Sequence, residues 1–361
     1  MALGISLYPE HASLERNAAY IEQAAGLGYT RVFSCLLSAK GDRASLVAEF
    51  SALTQLCHKH RMEVVLDVAP AVFSQVEARP DDLSFFFEAG ADGIRLDEGF
   101  TGSQVAAMTA NPYGLAVELN ASTADGTLEA ALASGADKNR LLACHNFFPQ
   151  SYTGLDLGFF CRESTKIQQA GVRLAAFVSS QVPDAFGPWP GSDGLPTLEM
   201  HRHRSVSFQA RHLRALGLVD DILISNDFAT QEELEALSDA CSGRVTLAAE
   251  LAPSITGQER EVLQFDHRVR GDLSTYLFRS TASRVAFTQE DFPAHDTCDL
   301  VAGDVVVINE RGGRYKGELQ IVRQPVPNDG TRNKVAHIPA REAPILDCLD
   351  SWTSFAFIEE V

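Results

Sequence analysis

The stretch DGIRLDEGF, residues 92–100, holds the pattern from which the fold can be predicted. Apolar side chains alternate with Arg95 and Asp97, as in a strand whose two faces have different surroundings. This alternation predicts a buried strand over residues 93–97, yet the strand ends in two adjacent carboxylates, Asp97 and Glu98. Either both acids begin a loop that faces water, or the strand carries Asp97 into a functional site.

Seven further strand-like segments surround this one, and most are separated by stretches with helical spacing or by a glycine that can end a helix. The segments cover residues 3–8, 31–37, 63–68, 114–120, 141–146, 173–179 and 221–225. Eight strand–helix units predict an α/β protein whose residues 1–243 form a parallel (β/α)8 TIM barrel. A doubly wound sheet is the alternative. It is disfavoured because no glycine-rich phosphate-binding motif follows the first strand.

The pattern changes in residues 244–361, where strand-like runs follow one another and helical spacing fades. Gly312-Gly313 and Asn328-Asp329-Gly330 are typical of tight turns between strands. We therefore expect a second, all-β domain that forms a small closed barrel.

Composition restricts the class of ligand. Thirty basic against 48 acidic residues give a formal net charge of −18, which disfavours nucleic acid and anionic membranes as partners. Seven scattered cysteines without a CxxC spacing, and an N-terminus unlike a signal peptide, favour a reduced cytoplasmic protein. An anionic ligand would need a local cluster of basic residues.

Polar side chains stand where the predicted barrel strands end, which is the edge that carries the active site in TIM barrels. These candidates are Glu10, Asp67, Asp97, Glu118, Asn120, His145, Asn146 and Asn226. Alternation turns Asp97, Glu118 and Asn120 toward the barrel axis and Glu98 away from it. Three carboxylates on consecutive strands would raise one another's pKa, which favours a functional site. Asp67 could instead be a structural partner of Arg95, and His145 a hydrogen-bonded core residue.

Long segments of the chain resemble the bacterial 6-phospho-N-acetylmuramidases. They are LGISLYPEHASLERNAAYI (3–21), EVVLDVAPAVF (63–73), LSFFFEAGADGIRLDEGF (83–100), NPYGLAVELNAS (111–122), CHNFFPQSYTGL (144–155), DGLPTLEMHRH (193–203), YLFRSTASR (276–284) and YKGELQIV (315–322). The resemblance implies a TIM barrel followed by a cyclophilin-like β-barrel domain. It also implies cytoplasmic hydrolysis of a 6-phospho-N-acetylmuramyl glycoside, with N-acetylglucosamine leaving, during recycling of cell-wall peptidoglycan.

Glycoside hydrolysis uses two carboxyl groups. Asp97 and Glu118 are on neighbouring strands, and we expect them to lie at matching heights. They are therefore the predicted pair of catalytic carboxyl groups, with Glu118 as the acid/base. Asp67 and Asn120 would orient them. The sugar's 2-acetamido group could itself be the nucleophile, and one carboxylate would then only orient it. This hydrolysis is expected to need no cofactor and no metal.

A phosphorylated amino sugar is anionic, so the chain must supply cations. Arg279, Ser280, Thr281 and Arg284 offer guanidinium and hydroxyl donors in the second domain, which would then have to cover the barrel mouth. They could equally be surface residues of a β-ladder. Residues 187–204 are rich in Gly, Pro and His and are expected to form a lid, with Trp189 stacking on a sugar ring.

Two other classes stay open. A metal-dependent phosphosugar isomerase or aldolase could use Asp67, Glu118 and His145 as ligands. A non-catalytic phosphosugar-binding protein could use the same pocket without turnover. The sequence leaves the oligomeric state undecided, a homo-oligomer included.

Overall fold

A computed structural model describes residues 1–37, 39–183, 185–189 and 193–360. The chain divides into two compact units. The first consists of Met1–Leu213 and Gly217–Asp239, and the second of Arg214–Leu216 and the segment from Ala240 to the C-terminus.

The first unit is a closed barrel of eight parallel strands that follow one another in chain order. They are β1 (Ala2–Leu7), β2 (Arg31–Cys35), β3 (Glu63–Val68), β4 (Gly93–Leu96), β5 (Ala116–Asn120), β6 (Leu141–Cys144), β7 (Arg173–Val178) and β8 (Asp221–Ile224). The prediction of a (β/α)8 barrel is confirmed.

Helices connect the strands of this unit. They are α1 (Leu14–Gly26), α2 (Arg43–Lys59), α3 (Pro70–Gln75), α4 (Ser84–Glu88), α5 (Gly102–Thr109), α6 (Thr127–Ala133), α7 (Leu157–Ala170), α8 (Val206–Leu216) and α9 (Gln231–Cys241). Local chemistry explains several ends: the Ser13 hydroxyl accepts from the Arg16 N–H, and a capping box of Thr101 and Gln104 begins α5. Gly171 ends α7 with a φ of 68°, in the left-handed region. The sequence patterns missed α3, α5 and α9.

The barrel interior contains an apolar cluster. Its buried members are Tyr8, Phe33, Cys35, Cys144, Ala175, Phe177 and Leu223. Most of them are spaced two residues apart within their strands, as expected of side chains on one face. Across the described residues, no helix combines the length and apolar character that a membrane crossing requires.

The second unit contains a seven-stranded sheet in the order β10-β15-β9-β14-β12-β13-β11. Its strands are β9 (Val245–Leu251), β10 (His267–Arg268), β11 (Leu277–Ser280), β12 (Asp304–Ile308), β13 (Leu319–Val322), β14 (Arg332–His337) and β15 (Ser354–Glu359). The Arg270 N–H donates to the Arg279 carbonyl oxygen at 2.8 Å beside the two end strands, so the sheet is nearly closed.

The prediction of an all-β second domain needs correction. Three short helices accompany the sheet: α10 (Gly257–Leu263), α11 (Ser283–Ala286) and α12 (Ala343–Asp347). A capping box of Thr256 and Glu259 begins α10, a local signal that was present in the sequence. Between residues 267 and 280 the chain makes two separate short strands, β10 and β11.

Candidate active site

A cavity of about 500 Å³ opens at the carboxyl ends of the barrel strands. Its lining combines two acids, a buried arginine, an amide and several apolar groups: Cys35, Leu37, Asp67, Arg95, Asp97, Asn146, Phe147, Pro149, Phe177, Pro188 and Trp189. We call it the mouth cavity. An apolar wall with a few polar groups is typical of small-molecule sites.

Arg95 is the centre of the polar network in the mouth cavity. Its Nη1 donates to Asp67 Oδ1 at 2.6 Å and to Asp97 Oδ1 at 3.4 Å, and its Nη2 donates to Asn146 Oδ1. The Arg95 side chain is only 3% exposed, so its position is fixed by packing as well as by these bonds. One rigid guanidinium therefore orients two carboxylates and an amide.

The two carboxylates differ in surroundings. The side chain of Asp97 is 31% exposed, whereas that of Asp67 is buried. Burial raises the pKa of Asp67 to about 6, although the Arg95 guanidinium acts in the opposite direction. A carboxyl with a raised pKa can hold a proton that it later gives up.

Their separation follows from the shared donor. Because both Oδ1 atoms contact Arg95 Nη1, they can be no farther apart than the sum of 2.6 and 3.4 Å. Retaining glycosidases place their carboxyl groups about 5–5.5 Å apart and inverting ones about 6.5–9.5 Å apart. The Oδ1 atoms of Asp67 and Asp97 are thus closer than the separation typical of inverting enzymes.

The expectation that Asp97 and Glu118 lie at matching heights is wrong. In the register of β4 and β5, Arg95 is opposite Glu118, so Asp97 is two residues farther toward the mouth. The residue beside Asp97 is Asn120, whose Nδ2 donates to the Asp97 carbonyl oxygen at 2.9 Å. Glu118 does not line the mouth cavity.

Glu118 instead belongs to an ion-pair network deeper in the barrel, which we call the lower network. Its carboxylate bonds to Arg31 Nη2 and is 2% exposed. Arg31 Nη1 also contacts Asp221 at 2.8 Å, and Arg173 contacts Asp221 at 2.7 Å. Arg31, Arg173 and Asp221 each occupy the first position of their strand, so this network lies toward the amino ends of the strands.

We predict that Glu118→Gln lowers stability rather than turnover. The change weakens a charged, buried hydrogen bond with Arg31, which contributes about 1.5–3 kcal/mol in general. Thermal denaturation should show a lower Tm, while kcat per folded molecule stays near that of the parent. A loss of kcat by orders of magnitude at unchanged Tm would show that Glu118 takes part in the reaction.

His145 lies in the barrel wall rather than in the mouth cavity. Its Nε2 pairs with Ser164 Oγ of α7 at 3.0 Å and its Nδ1 with Ser122 Oγ at 3.2 Å. Burial lowers the pKa of His145 to about 3, so the ring is neutral. The prediction that His145 contacts substrate is therefore not supported by its position, since both ring nitrogens already have partners.

The other predicted residues of the barrel fall into two groups. Asn146 and Trp189 line the mouth cavity. Asn226 is buried and its Oδ1 accepts from Ser180 N at 2.9 Å, which makes it a support of the loop after β7. Glu10 is exposed in the short 3-10 helix Pro9–His11 and is not part of the cavity lining.

Asp227, which directly follows Asn226, is a further acid that the strand-end pattern predicts. Its Oδ2 accepts from the Tyr8 N–H at 3.3 Å, and its buried Oδ1 has no hydrogen-bond partner among the described residues. Burial raises the pKa of Asp227 well above its usual range. The sequence signal was its place at the end of strand eight, which Asn226 shares.

A larger cavity, of about 850 Å³, lies on the other side of Asp97. The loops after β4 and β5, together with α6 and α7, contribute most of its lining, and Glu98 is part of it. Asp97 borders both cavities, whereas Glu98 borders only this one. The face assignment made from alternation is thus confirmed for these two neighbours.

In the second unit, the predicted cations already have a carboxylate partner. Arg279 makes a bidentate pair with Glu318, at 2.7 and 3.0 Å, and Arg284 contacts the same carboxylate at 3.3 Å. Ser280 is buried, and its hydroxyl pairs with His267 Nδ1 at 2.9 Å. Ser280 is therefore a structural residue, and Arg279 is not a free cation.

The ligand set of the metal-dependent alternative does not come together. Asp67 bonds to Arg95, Glu118 to Arg31, and His145 to two serines. Within residues 1–37, 39–183, 185–189 and 193–360, no three His, Cys, Asp or Glu side chains are grouped as a metal site requires. The donor set in the mouth cavity fits acid–base chemistry better than metal binding.

Comparison with known proteins adds to this geometry. Residues 3–239 match a family model described as "6-phospho-N-acetylmuramidase, N-terminal", and residues 245–358 match one described as "6-phospho-N-acetylmuramidase, C-terminal". A search of curated proteins finds no match.

Two solved structures are similar along the whole chain. An uncharacterized B. cereus protein is 44% identical with a TM-score of 0.91, and the match covers 99% of each chain. A conserved Enterococcus faecalis protein of unknown function is 25% identical with a TM-score of 0.72, and the match covers 100% of this chain and 97% of that one.

Proposed function

This chain belongs to the 6-phospho-N-acetylmuramidase family and is a glycoside hydrolase, and we propose that it cleaves 6-phospho-N-acetylmuramyl glycosides with N-acetylglucosamine as the leaving sugar. We place this reaction in the cytoplasm, where it would serve the recycling of peptidoglycan. The seven cysteines show no CxxC spacing, and none forms a disulfide in the described part of the chain, which supports a reducing compartment.

The observation that carries the mechanism is the carboxylate pair held by Arg95. We assign Asp67 as the general acid, because burial favours its protonated form, and Asp97 as the second carboxylate of the reaction. Asp67 would protonate the glycosidic oxygen of the leaving sugar as the bond to the anomeric carbon breaks. Asp97 would then stabilise the positive charge that develops on the muramyl ring.

Two roles are open to Asp97. The close separation from Asp67 supports direct attack on the anomeric carbon, with a covalent glycosyl intermediate and retention of configuration. In the other, the 2-acetamido group of the substrate attacks and Asp97 orients it. Both routes retain the configuration at the anomeric carbon.

Mass spectrometry of a matched substrate pair tests the function. The purified protein is incubated with a 6-phosphorylated muramyl–N-acetylglucosamine disaccharide or with its unphosphorylated counterpart. We expect release of N-acetylglucosamine from the first at a much higher rate. Equal rates would remove the phosphate from the specificity, and binding of the phosphorylated sugar without any cleavage would favour a non-catalytic sensor.

The pH dependence tests the assignment of Asp67. A general acid must be protonated, so log(kcat/KM) is expected to fall by about one unit per pH unit above about pH 6. This falling limb should be absent from the residual activity of Asp67→Asn. A rate that rises through the same pH range would instead make Asp67 a base.

A further inference from the structure

Three arginines of the second unit surround one aromatic ring, and a fourth, Arg270, lines the cavity beside it. The Cζ atoms of Arg279, Arg284 and Arg314 lie 5.7, 5.6 and 4.9 Å from the centroid of Tyr315. Arg270, Arg284, Arg314 and Tyr315 line an open cavity of about 670 Å³. We call these residues the arginine cluster.

The charges of the arginine cluster do not cancel. Buried Glu318 contacts Arg279 and Arg284, and Asp272 contacts Arg270 at 2.6 Å. Arg314 donates to the Tyr315 hydroxyl at 2.7 Å and has no carboxylate partner in the described part of the chain. Four guanidinium groups thus face two carboxylates, in a protein whose formal net charge is −18.

This excess of positive charge destabilises the folded protein by electrostatic repulsion unless an anionic ligand neutralises it. Like charges grouped around one ring repel one another, and cation–π contacts at exposed sites contribute only about 0.5–1 kcal/mol each. Buried Glu318 fixes two of the guanidinium groups, as a positioning residue would. The cluster is consequently ordered before any ligand binds, which lowers the entropy cost of binding.

We propose that the arginine cluster binds a phosphate dianion. Phosphate has several oxygens that accept charge-assisted hydrogen bonds from separate guanidinium groups, whereas a carboxylate is planar and is satisfied by one fork. Two uncompensated positive charges match the charge of a phosphate monoester near neutral pH. The site stands on this geometry alone, while the view that the phosphate belongs to the sugar substrate rests on the proposed function.

Within this site, Arg314 and Arg270 are the direct donors. Both line the cavity, and neither is engaged by the buried carboxylate of Glu318. Arg279 is held in a bidentate pair by Glu318 and acts as a positioning residue. Its removal would leave a buried carboxylate short of a partner, so loss of ligand binding in Arg279→Ala would be confounded by loss of stability.

The binding test uses inorganic phosphate titrated into the full chain by calorimetry, at low ionic strength and in a phosphate-free buffer. The variants are Arg314→Gln, Arg270→Gln and the double variant. The control is Arg260→Gln, which changes the charge of the same unit equally but sits in an exposed pair with Glu359. Circular dichroism confirms that each variant is folded.

We expect saturable binding that weakens about tenfold per arginine, equivalent to ~1.4 kcal/mol, and that is unchanged in the control. No saturable binding to the parent, or equal binding by the double variant, would overturn the site. Equal weakening in the control would reduce the effect to net charge and would overturn it as well.

Steady-state kinetics identify the source of the phosphate. If it is the substrate, the double variant should raise KM for the 6-phosphorylated disaccharide at least about tenfold and leave the unphosphorylated one unchanged. If KM is unaffected while phosphate binding is lost, the site serves a separate phosphate ligand. Phosphate binding by a parent protein that cleaves neither sugar would refute the reaction and leave the site intact.

Discussion

Replacement of Asp97 with asparagine is expected to reduce kcat by about 10³-fold or more with little change in stability. The amide keeps the shape of the side chain but removes the negative charge that would face the developing cation. Asp97 is 31% exposed and its contact with Arg95 is long, at 3.4 Å, so folding should lose little. Single-turnover rates on the phosphorylated disaccharide, together with Tm, would measure both effects.

The adjacent acid provides a matched control. Glu98→Gln removes the same charge one residue away. The Glu98 side chain borders the larger cavity of about 850 Å³ and not the mouth cavity. Its turnover should stay close to that of the parent. Similar losses in both variants would mean that the negative charge of the loop matters and that Asp97 has no specific role.

Replacement of Arg95 with methionine is expected to abolish turnover and to lower the free energy of unfolding by about 3–5 kcal/mol at neutral pH. Asp67 would lose its cation while still buried, and Asp97 and Asn146 would lose their common donor. Chemical denaturation measures the loss. Arg79→Met is the control, because Arg79 is 66% exposed and pairs only with surface acids.

A double variant separates charge burial from packing. Arg95→Met with Asp67→Asn removes both charges, so most of the lost stability should return while turnover stays absent.

The stability lost in Arg95→Met should also depend on pH, and the direction follows from the burial of Asp67. A carboxyl whose folded pKa is raised takes up a proton on folding, so its contribution is lost as pH rises. Loss of Arg95 moves the pKa of Asp67 above its value of about 6 in the parent, so the deficit of the single variant should shrink as the pH falls toward about 6 and stay constant below it. A deficit independent of pH, and no rescue in the double variant, would point to packing.

Periodicity was sufficient to predict the barrel, because β4 and the seven other barrel strands are each a short apolar run that can be recognised locally. It also predicted that Asp67, Asp97 and Asn146 lie together at the carboxyl ends of the barrel strands. It could not place Glu118, because the height of a side chain in a barrel depends on the register between strands, and no local pattern encodes that register. Arg95 and Glu118 are paired across β4 and β5, and this shift of two residues separated the expected carboxylate pair.

The second domain was predicted less well for a different reason. Arg279 and Arg284 share one short motif and were found together, whereas Arg270 and Arg314 lie in separate segments. Only the folded sheet brings Arg279, Arg284 and Arg314 to Tyr315 and places Arg270 in the lining of the same cavity. His145 shows the converse case, since a polar residue at the end of a strand turned out to bond to helix α7.

The lower network has a consequence for the history of the sequence. Arg31, Glu118 and Asp221 are buried charges, half-exposed Arg173 completes the set, and loss of a single member leaves another charge without compensation. Substitutions at these positions should therefore be accepted in concert during evolution. An alignment of relatives should show covariation among the four positions, with charged quartets and fully apolar quartets both represented and mixed sets rare.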